Sequence, residues 1–412
     1  MIRVKGLLED ISGASRVTKI REDNFNKASD LNHYEDKINL VAKELHPDPF
    51  LVICKEIKQV SITAKKFRFE PLNGFLPYFQ AGNYVCIYFD ADGIKTQRPY
   101  SISSAPKEAH LEKPFFEVTI RQNKNGSYES NYLYNNLKVN DKLTVSMPHG
   151  HFYYEELRDA KNVLAIAGGS GITPFYSMAL EVMYGNLDID LTILYGSVSN
   201  EDIILEKEFK EITNKTNRVR IINVLSGRDA VIETGFEKGF ITRDLIKKYS
   251  YKQDPQNELT SYFVCGPLLM YEFITNELKA LNVKQRRIRM EVFGGPKNIK
   301  EDKDYPIDVL DEYKITVIRG IEKTLITAKS KDSLAESLER NGIMIRTCCR
   351  SGECGACRIK VISGDYFVPK VSDFRRKADI SFGYVHSCKC YPLSDMTIKI
   401  NILKESLWKF GI

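Results

Sequence analysis

The stretch Cys348-Cys349-Arg350-Ser351-Gly352-Glu353-Cys354-Gly355-Ala356-Cys357 places four of the chain's nine cysteines within ten residues. Cys349, Cys354 and Cys357 form a C-x4-C-x2-C run, and Cys388 follows about thirty residues later in "VHSCKCYP". This is the plant-type spacing for a 2Fe-2S cluster. Two irons and two sulfides need four thiolates, and Gly352 and Gly355 let backbone N–H groups approach the sulfurs without Cβ obstruction. A tetrahedral zinc site from Cys354, Cys357, Cys388 and Cys390 is the competing reading, and it leaves the x4 spacing of Cys349 unexplained. A thioredoxin-like reading of Cys354 and Cys357 lacks a surrounding βαβ pattern. Cys348 and Cys390, each beside a ligand, read as bystanders, with Cys390 a competitor for the fourth position.

A chain of 412 residues predicts two to four domains. Its net charge of +6 is modest, and Lys and Arg form no stripe of the kind nucleic acid requires. No apolar run approaches the roughly 20 residues of a bilayer span. The first residues lack a signal-peptide core, so the expectation is a cytoplasmic protein with no membrane span and no nucleic-acid partner. Six of the nine cysteines lie after residue 347, which suits a metal or redox site in a reducing compartment.

Along the chain, residues 1–47 read as a polar extension, helical near "LNHYEDKINLVAKELH". Residues 48–155 carry strand-like runs separated by Gly, Asn, Pro and Asp, the pattern of a small antiparallel barrel. Residues 156–298 alternate short apolar runs with amphipathic stretches, which predicts βαβ units and a parallel sheet. Residues 299–312 have the composition of a linker. Residues 313–412 open with a hairpin pattern, then a helix over "SKDSLAESLERNG" stopped at Asn341-Gly342, then the cysteines.

Two further motifs precede the cysteines. "RPYSISSAP" (98–106) resembles the flavin motif R-x-Y-S-x-x-S of the ferredoxin-NADP reductase superfamily, and the cysteine segment resembles the ferredoxin domains of electron-transfer reductases. The resemblance implies a multidomain fold: an antiparallel β-barrel for flavin, an α/β parallel-sheet nucleotide domain and a β-grasp (α+β) ferredoxin domain. It implies that Arg98 neutralises flavin phosphate, Tyr100 packs on the isoalloxazine and Ser101 hydrogen-bonds near its N5. Thr119 and Arg121 would line the flavin, and a helix start near Ser130 and Asn131 would receive pyrophosphate. The family's G-x-x-S appears here with one extra residue, Gly126 to Ser130, and the ending Gly150-His151-Phe152 favours FAD over FMN.

"NVLAIAGGSGITPFYSMALEVM" reads as a buried strand, a glycine turn and a helix, in which Gly168, Gly169 and Gly171 allow close approach of a dinucleotide. By resemblance, Thr173 would hold the carboxamide. Cys265, followed by Gly266 and Pro267, would sit near the nicotinamide C4, and Glu291 with Phe293 would frame the hydride-transfer site. Cys54 and Cys86 read as small core residues. NADH is favoured over NADPH because Val198 stands where NADPH users often carry Arg, although Arg228 could supply that charge.

The order of modules resembles reductase components such as those of phenylacetyl-CoA epoxidase and the hybrid cluster protein. It implies an NAD(P)H-dependent oxidoreductase that moves electrons through FAD and a 2Fe-2S cluster to a separate protein acceptor, an oxygenase or another redox enzyme. The alternatives are a stand-alone NAD(P)H:ferredoxin reductase or diaphorase, and a redox sensor.

Overall fold

The computed structural model describes residues 7–27, 49–72, 74–122, 128–251, 258–291 and 298–401. Residues up to Leu45 form one compact unit and residues from His46 onward a second. The first unit contains a helix, Leu7–Asn26. The helix expected near residues 31–46 lies outside the described residues, as do Gly126 and Phe293. Among the described residues no helix is long and apolar enough to cross a membrane.

The second unit begins with six antiparallel strands: β1 (Phe50–Gln59), β2 (Ala64–Pro71), β3 (Tyr84–Ala91), β4 (Ile94–Ser101), β5 (Phe116–Arg121) and β6 (Lys142–Val145), in the order β4-β3-β6-β1-β2-β5. A bridge from Ile102, just past β4, to Val118 in β5 links the two edges and curls the sheet towards a barrel. Alternation in β1 sends Phe50, Val52 and Cys54 inward, where they pack with Phe67, Phe69, Ile87, Phe89 and Val118.

The next six strands are all parallel: β7 (Asn162–Gly168), β8 (Asp190–Ser197), β9 (Val219–Leu225), β10 (Glu237–Lys238), β11 (Thr260–Cys265) and β12 (Ile288–Glu291), in the order β10-β9-β8-β7-β11-β12. Strands β7 and β11 are apolar almost throughout because helices cover both faces of the sheet. The chain runs outward from β7 to β10 and then returns to β11 on β7's other side. The carboxyl ends of β7 and β11 therefore flank a topological switch point, the place where open α/β sheets bind ligands.

The last domain is a mixed sheet of β13 (Glu312–Arg319), β14 (Glu322–Lys329), β15 (Arg358–Ser363), β17 (Tyr384–His386) and β19 (Met396–Ile400), in the order β14-β13-β19-β15-β17. β16 (Tyr366–Phe367) and β18 (Tyr391–Pro392) pair separately. Helix Leu334–Arg340 starts on a capping box between Ser333 and Glu336 and ends at Asn341, before Gly342 at φ +72°. Leu334, Ala335 and Leu338 close the core over Ile315, Val317 and Ile398. The segment with linker composition is partly fastened down: Ile299 and Tyr305 are buried with Tyr391, and the Tyr305 hydroxyl donates to the Ser330 carbonyl at 3.0 Å.

Candidate redox site

The flavin motif lies at the end of β4. Arg98 is buried, and its Nη2 lies 2.5 Å from Glu129 in the first turn of helix Tyr128–Asn136. The Tyr100 hydroxyl is 3.1 Å from Ser130 Oγ in that same turn. A buried cation and two hydroxyls thus converge at a helix start, which is a donor set for an anionic phosphate. Asn131 follows in the same turn. Thr119 on β5 lies 3.0 Å from Ser103 through their hydroxyls.

Arg121, at the end of β5, reaches into the neighbouring domain. It pairs with Asp202, and its Nε donates to Thr63 Oγ1 at 3.3 Å. A Cβ on Gly169, in the turn after β7, would lie 2.6 Å from Arg121 Nη1. The guanidinium therefore covers the glycine turn as well as the barrel. The pairing with Asp202 is invisible to local pattern reading because the two residues are 81 positions apart.

At the switch point, Gly168, Gly169 and Gly171 lead into helix Thr173–Met183, whose Thr173 hydroxyl donates to the Ser170 carbonyl at 2.9 Å. A side chain on Gly171 would strike the Cys265 carbonyl, 2.1 Å from an added Cβ, so the two chain segments can meet here only with glycine. Cys265 ends β11 and pairs in register with Glu291 at the end of β12. Gly266 N donates to the Tyr271 hydroxyl at 3.0 Å, and that hydroxyl donates to the Glu291 carbonyl. Pro267 then caps helix Leu268–Ala280. Burial pushes the Cys265 thiol's pKa well up.

Glu291 is the electrostatic outlier of this pocket. Burial raises its carboxyl well above the usual carboxylate range, the nearby Glu353 and Cys349 push the same way, and Ser101 opposes them. Its Oε2 is buried with no hydrogen-bond partner. A buried carboxyl oxygen without a partner, facing the serine of the flavin motif, fits a site completed by a polar group. Two residues earlier, Arg289 anchors the strand: its guanidinium meets Asp159 at 2.6 Å and Glu155 at 3.1 Å, and donates to the His151 carbonyl.

The four expected cluster cysteines come together. Cys354 N–H points at Cys349 Sγ (3.4 Å), Ala356 N–H at Cys354 Sγ (3.5 Å), and the Cys357 and Cys388 sulfurs are 3.3 Å apart. The sulfurs thus form two adjacent pairs. Among the described residues no three His, Cys, Asp or Glu side chains converge on one ion-sized point. Two pairs suit a two-iron group, since each iron takes two thiolates. The hydrogen bond shared with Cys388 holds the Cys357 thiol below its usual value. Arg350, Gly352 and Gly355 all take positive φ, folding the loop so that its N–H groups turn inward towards the sulfurs. Cys390 is buried in the domain core.

Sequence reading missed what braces this loop. His386 Nδ1 bonds the Gly352 carbonyl, and Lys389 is almost fully buried with its Cγ against Gly352. Arg350 pairs with Glu339 and donates to Gln97 O at 2.9 Å and Thr96 Oγ1 at 3.1 Å, both on β4 of the barrel. Gln97 donates in return to Thr347. Cys348 Sγ lies 3.1 Å from Cys86 Sγ and 3.6 Å from the Tyr84 hydroxyl, so Cys86 faces the cysteine loop as well as packing in the barrel. The cysteine loop is bolted to the strand that carries the flavin motif.

Barrel, switch-point sheet and docked cysteine loop together define a flavin- and nucleotide-dependent oxidoreductase with a ferredoxin-type electron carrier. Three family models match in this order: the oxidoreductase FAD-binding domain over residues 52–154, the oxidoreductase NAD-binding domain over 165–276 and the 2Fe-2S iron-sulfur cluster binding domain over 318–393. The chain thus carries an FAD-binding, an NAD-binding and a C-terminal 2Fe-2S domain in that order, on a multidomain reductase fold. It is 24% identical over 361 residues to the glycine betaine monooxygenase reductase subunit of Chromohalobacter salexigens, covering 84% of this chain and 94% of that protein. It is 28% identical over 324 residues to the NADH oxidoreductase HCR of Escherichia coli (strain K12), covering 79% and 89%. The fold matches phthalate dioxygenase reductase with a TM-score of 0.60 at 19% identity, over 86% of this chain and 98% of that one.

Proposed function

We propose that this protein is the reductase component of a redox system, taking electrons from NADH and delivering them to a separate protein acceptor, an oxygenase or another terminal redox enzyme. The observation that carries this reading is the bonding of the cysteine loop to β4, which sets the loop against the flavin-motif strand with Cys349 near Glu291. When bound, FAD would accept a hydride and the 2Fe-2S cluster would carry single electrons onward.

The chain's own residues do the rest. Arg98, Ser130 and Asn131 bind the flavin phosphates, Tyr100 packs on the isoalloxazine, Thr119 and Arg121 line the groove, and Ser101 with Glu291 orients the reacting rings and holds a proton between them. Gly168, Gly169, Gly171 and Thr173 seat the dinucleotide, and Cys265, Gly266 and Pro267 form the wall beside the nicotinamide. Cys349, Cys354, Cys357 and Cys388 hold the cluster. Val198, exposed after β8, supports NADH over NADPH because it offers no cation for a 2′-phosphate. Its relatives, a monooxygenase reductase subunit and an NADH oxidoreductase, support the same reading.

The test is anaerobic addition of NADH, then separately NADPH, to the purified protein, followed by visible and EPR spectra. A rhombic 2Fe-2S signal together with flavin bleaching, at lower concentrations of NADH than of NADPH, is expected. Flavin bleaching with no iron in the protein would overturn the reading.

A further inference from the structure

The two cysteine pairs face different surroundings. Cys349 and Cys354 lie on the barrel side, next to Cys348, Cys86 and Glu291. Cys357 and Cys388 lie at the ends of β15 and β17, which pair through Arg358 and His386. The outward face of those strands therefore begins one residue from a cluster ligand.

That face is basic and apolar. Arg358 and Lys360 flank the buried Ile359 along β15 and so share one side of the strand, and Ile362 is exposed at the bulge that follows. The Arg358 guanidinium stacks 3.9 Å from the Tyr384 ring centroid, with Lys360 Nζ 5.7 Å from it. Helix Lys377–Ser381 joins this face through Asp379, which binds Arg358 at 2.9 Å and Arg376 at 3.0 Å. The segment around it exposes Phe374, Ile380 and Phe382, and it raises Lys370 and Lys377 to the surface. It abuts the cysteine loop, since a Cβ on Gly352 would sit 3.0 Å from the Ser372 carbonyl.

Charge is distributed in the same sense. Residues 313–400 hold 16 Lys and Arg against 9 Asp and Glu, a net +7, while the whole chain carries +6. The basicity belongs to the ferredoxin domain, and the remainder of the chain is close to neutral. A charged rim around exposed aromatic side chains, one residue from an electron carrier's ligand, is the make-up of a protein-docking surface.

We propose that the surface formed by β15, β17 and residues 370–382 docks the electron acceptor, and that the acceptor presents an acidic patch around an apolar centre. This rests on the function proposed above. The test uses two one-electron probes, the acidic soluble domain of cytochrome b5 and the basic mitochondrial cytochrome c, with each rate divided by the same sample's NADH:ferricyanide rate.

Reduction of cytochrome b5 is expected to slow as salt rises and reduction of cytochrome c to quicken. Lys370→Glu with Lys377→Glu is expected to lower kcat/KM for cytochrome b5 by about tenfold at low salt and to flatten its salt dependence. Phe382→Ser is expected to lower it at every salt concentration. Lys323→Glu with Lys329→Glu, on β14 at the opposite edge of the sheet, should change it less than twofold. Equal loss from both lysine pairs would overturn the docking face in favour of a general domain charge, and no loss from Lys370 and Lys377 would overturn it outright. Cytochrome b5 reduction that survives Cys357→Ser would instead overturn the route through the cluster, and the docking face with it.

Discussion

A serine hydroxyl is a poorer ligand than a thiolate at an iron–sulfur site, so Cys349→Ser, Cys354→Ser, Cys357→Ser or Cys388→Ser is expected to lower bound iron and the visible absorbance above about 400 nm. Cytochrome c reduction should fall at least tenfold (roughly) while NADH:ferricyanide activity persists, because the flavin groove is built from other residues. Equal loss of both activities would show that the two centres do not act in sequence. Cys390→Ser is the internal control. Its side chain lies in the domain core, so the exchange should leave iron content intact and cost about 1–3 kcal/mol for an unpartnered hydroxyl, read as a lower melting temperature.

Elements are held by a few buried ion pairs, and one of them joins two domains. Arg350→Ala leaves the buried Glu339 carboxylate only its longer pairing with Arg98 at 3.8 Å and cuts the bonds to Gln97 and Thr96. Breaking a buried pair costs about 3–5 kcal/mol, and here it also frees the cysteine loop from β4. The ratio of cytochrome c to ferricyanide activity should therefore fall, with Arg350→Lys restoring part of the stability but not the forked contact.

In the nucleotide domain, Glu277 on helix Leu268–Ala280 accepts from Arg243 N at 2.5 Å and Nη2 at 3.1 Å, and these bonds hold its pKa below the ordinary glutamate value of 4.5. A lowered folded pKa contributes stability that is complete above the unfolded value and is lost as pH falls through the folded one. Glu277→Gln is therefore expected to melt earlier than the parent at pH 7, with the gap closing below about pH 4.5. A gap independent of pH would assign the effect to packing.

At the scale of the whole molecule, the first unit and the redox assembly are separately compact, so removing residues 1–45 is expected to leave the NADH:ferricyanide rate within about twofold. A larger loss would place part of the flavin groove's support in that extension. Much of the assembly was legible in the sequence. The cysteine spacing, R-P-Y-S and the glycine turn after β7 are local patterns whose chemistry depends on residues close together in the chain, and strand periodicity marked barrel and parallel sheet because burial repeats along each strand.

What local pattern could not convey was which surfaces meet. The Arg121–Asp202 pair, the Arg350 contacts to β4, the Cys86–Cys348 approach and the burial of Lys389 all join residues, or bury a charge, through contacts distant in sequence. The linker composition of residues 299–312 likewise gave no sign that Ile299 and Tyr305 would be buried. By itself the sequence determined the types of domain and their order, because each is marked by patterns within short segments. Only the tertiary structure decided that the cysteine loop lies against the flavin strand, and that the basic strand face beside Cys357 is left to solvent. Both depend on packing between surfaces that no local pattern encodes.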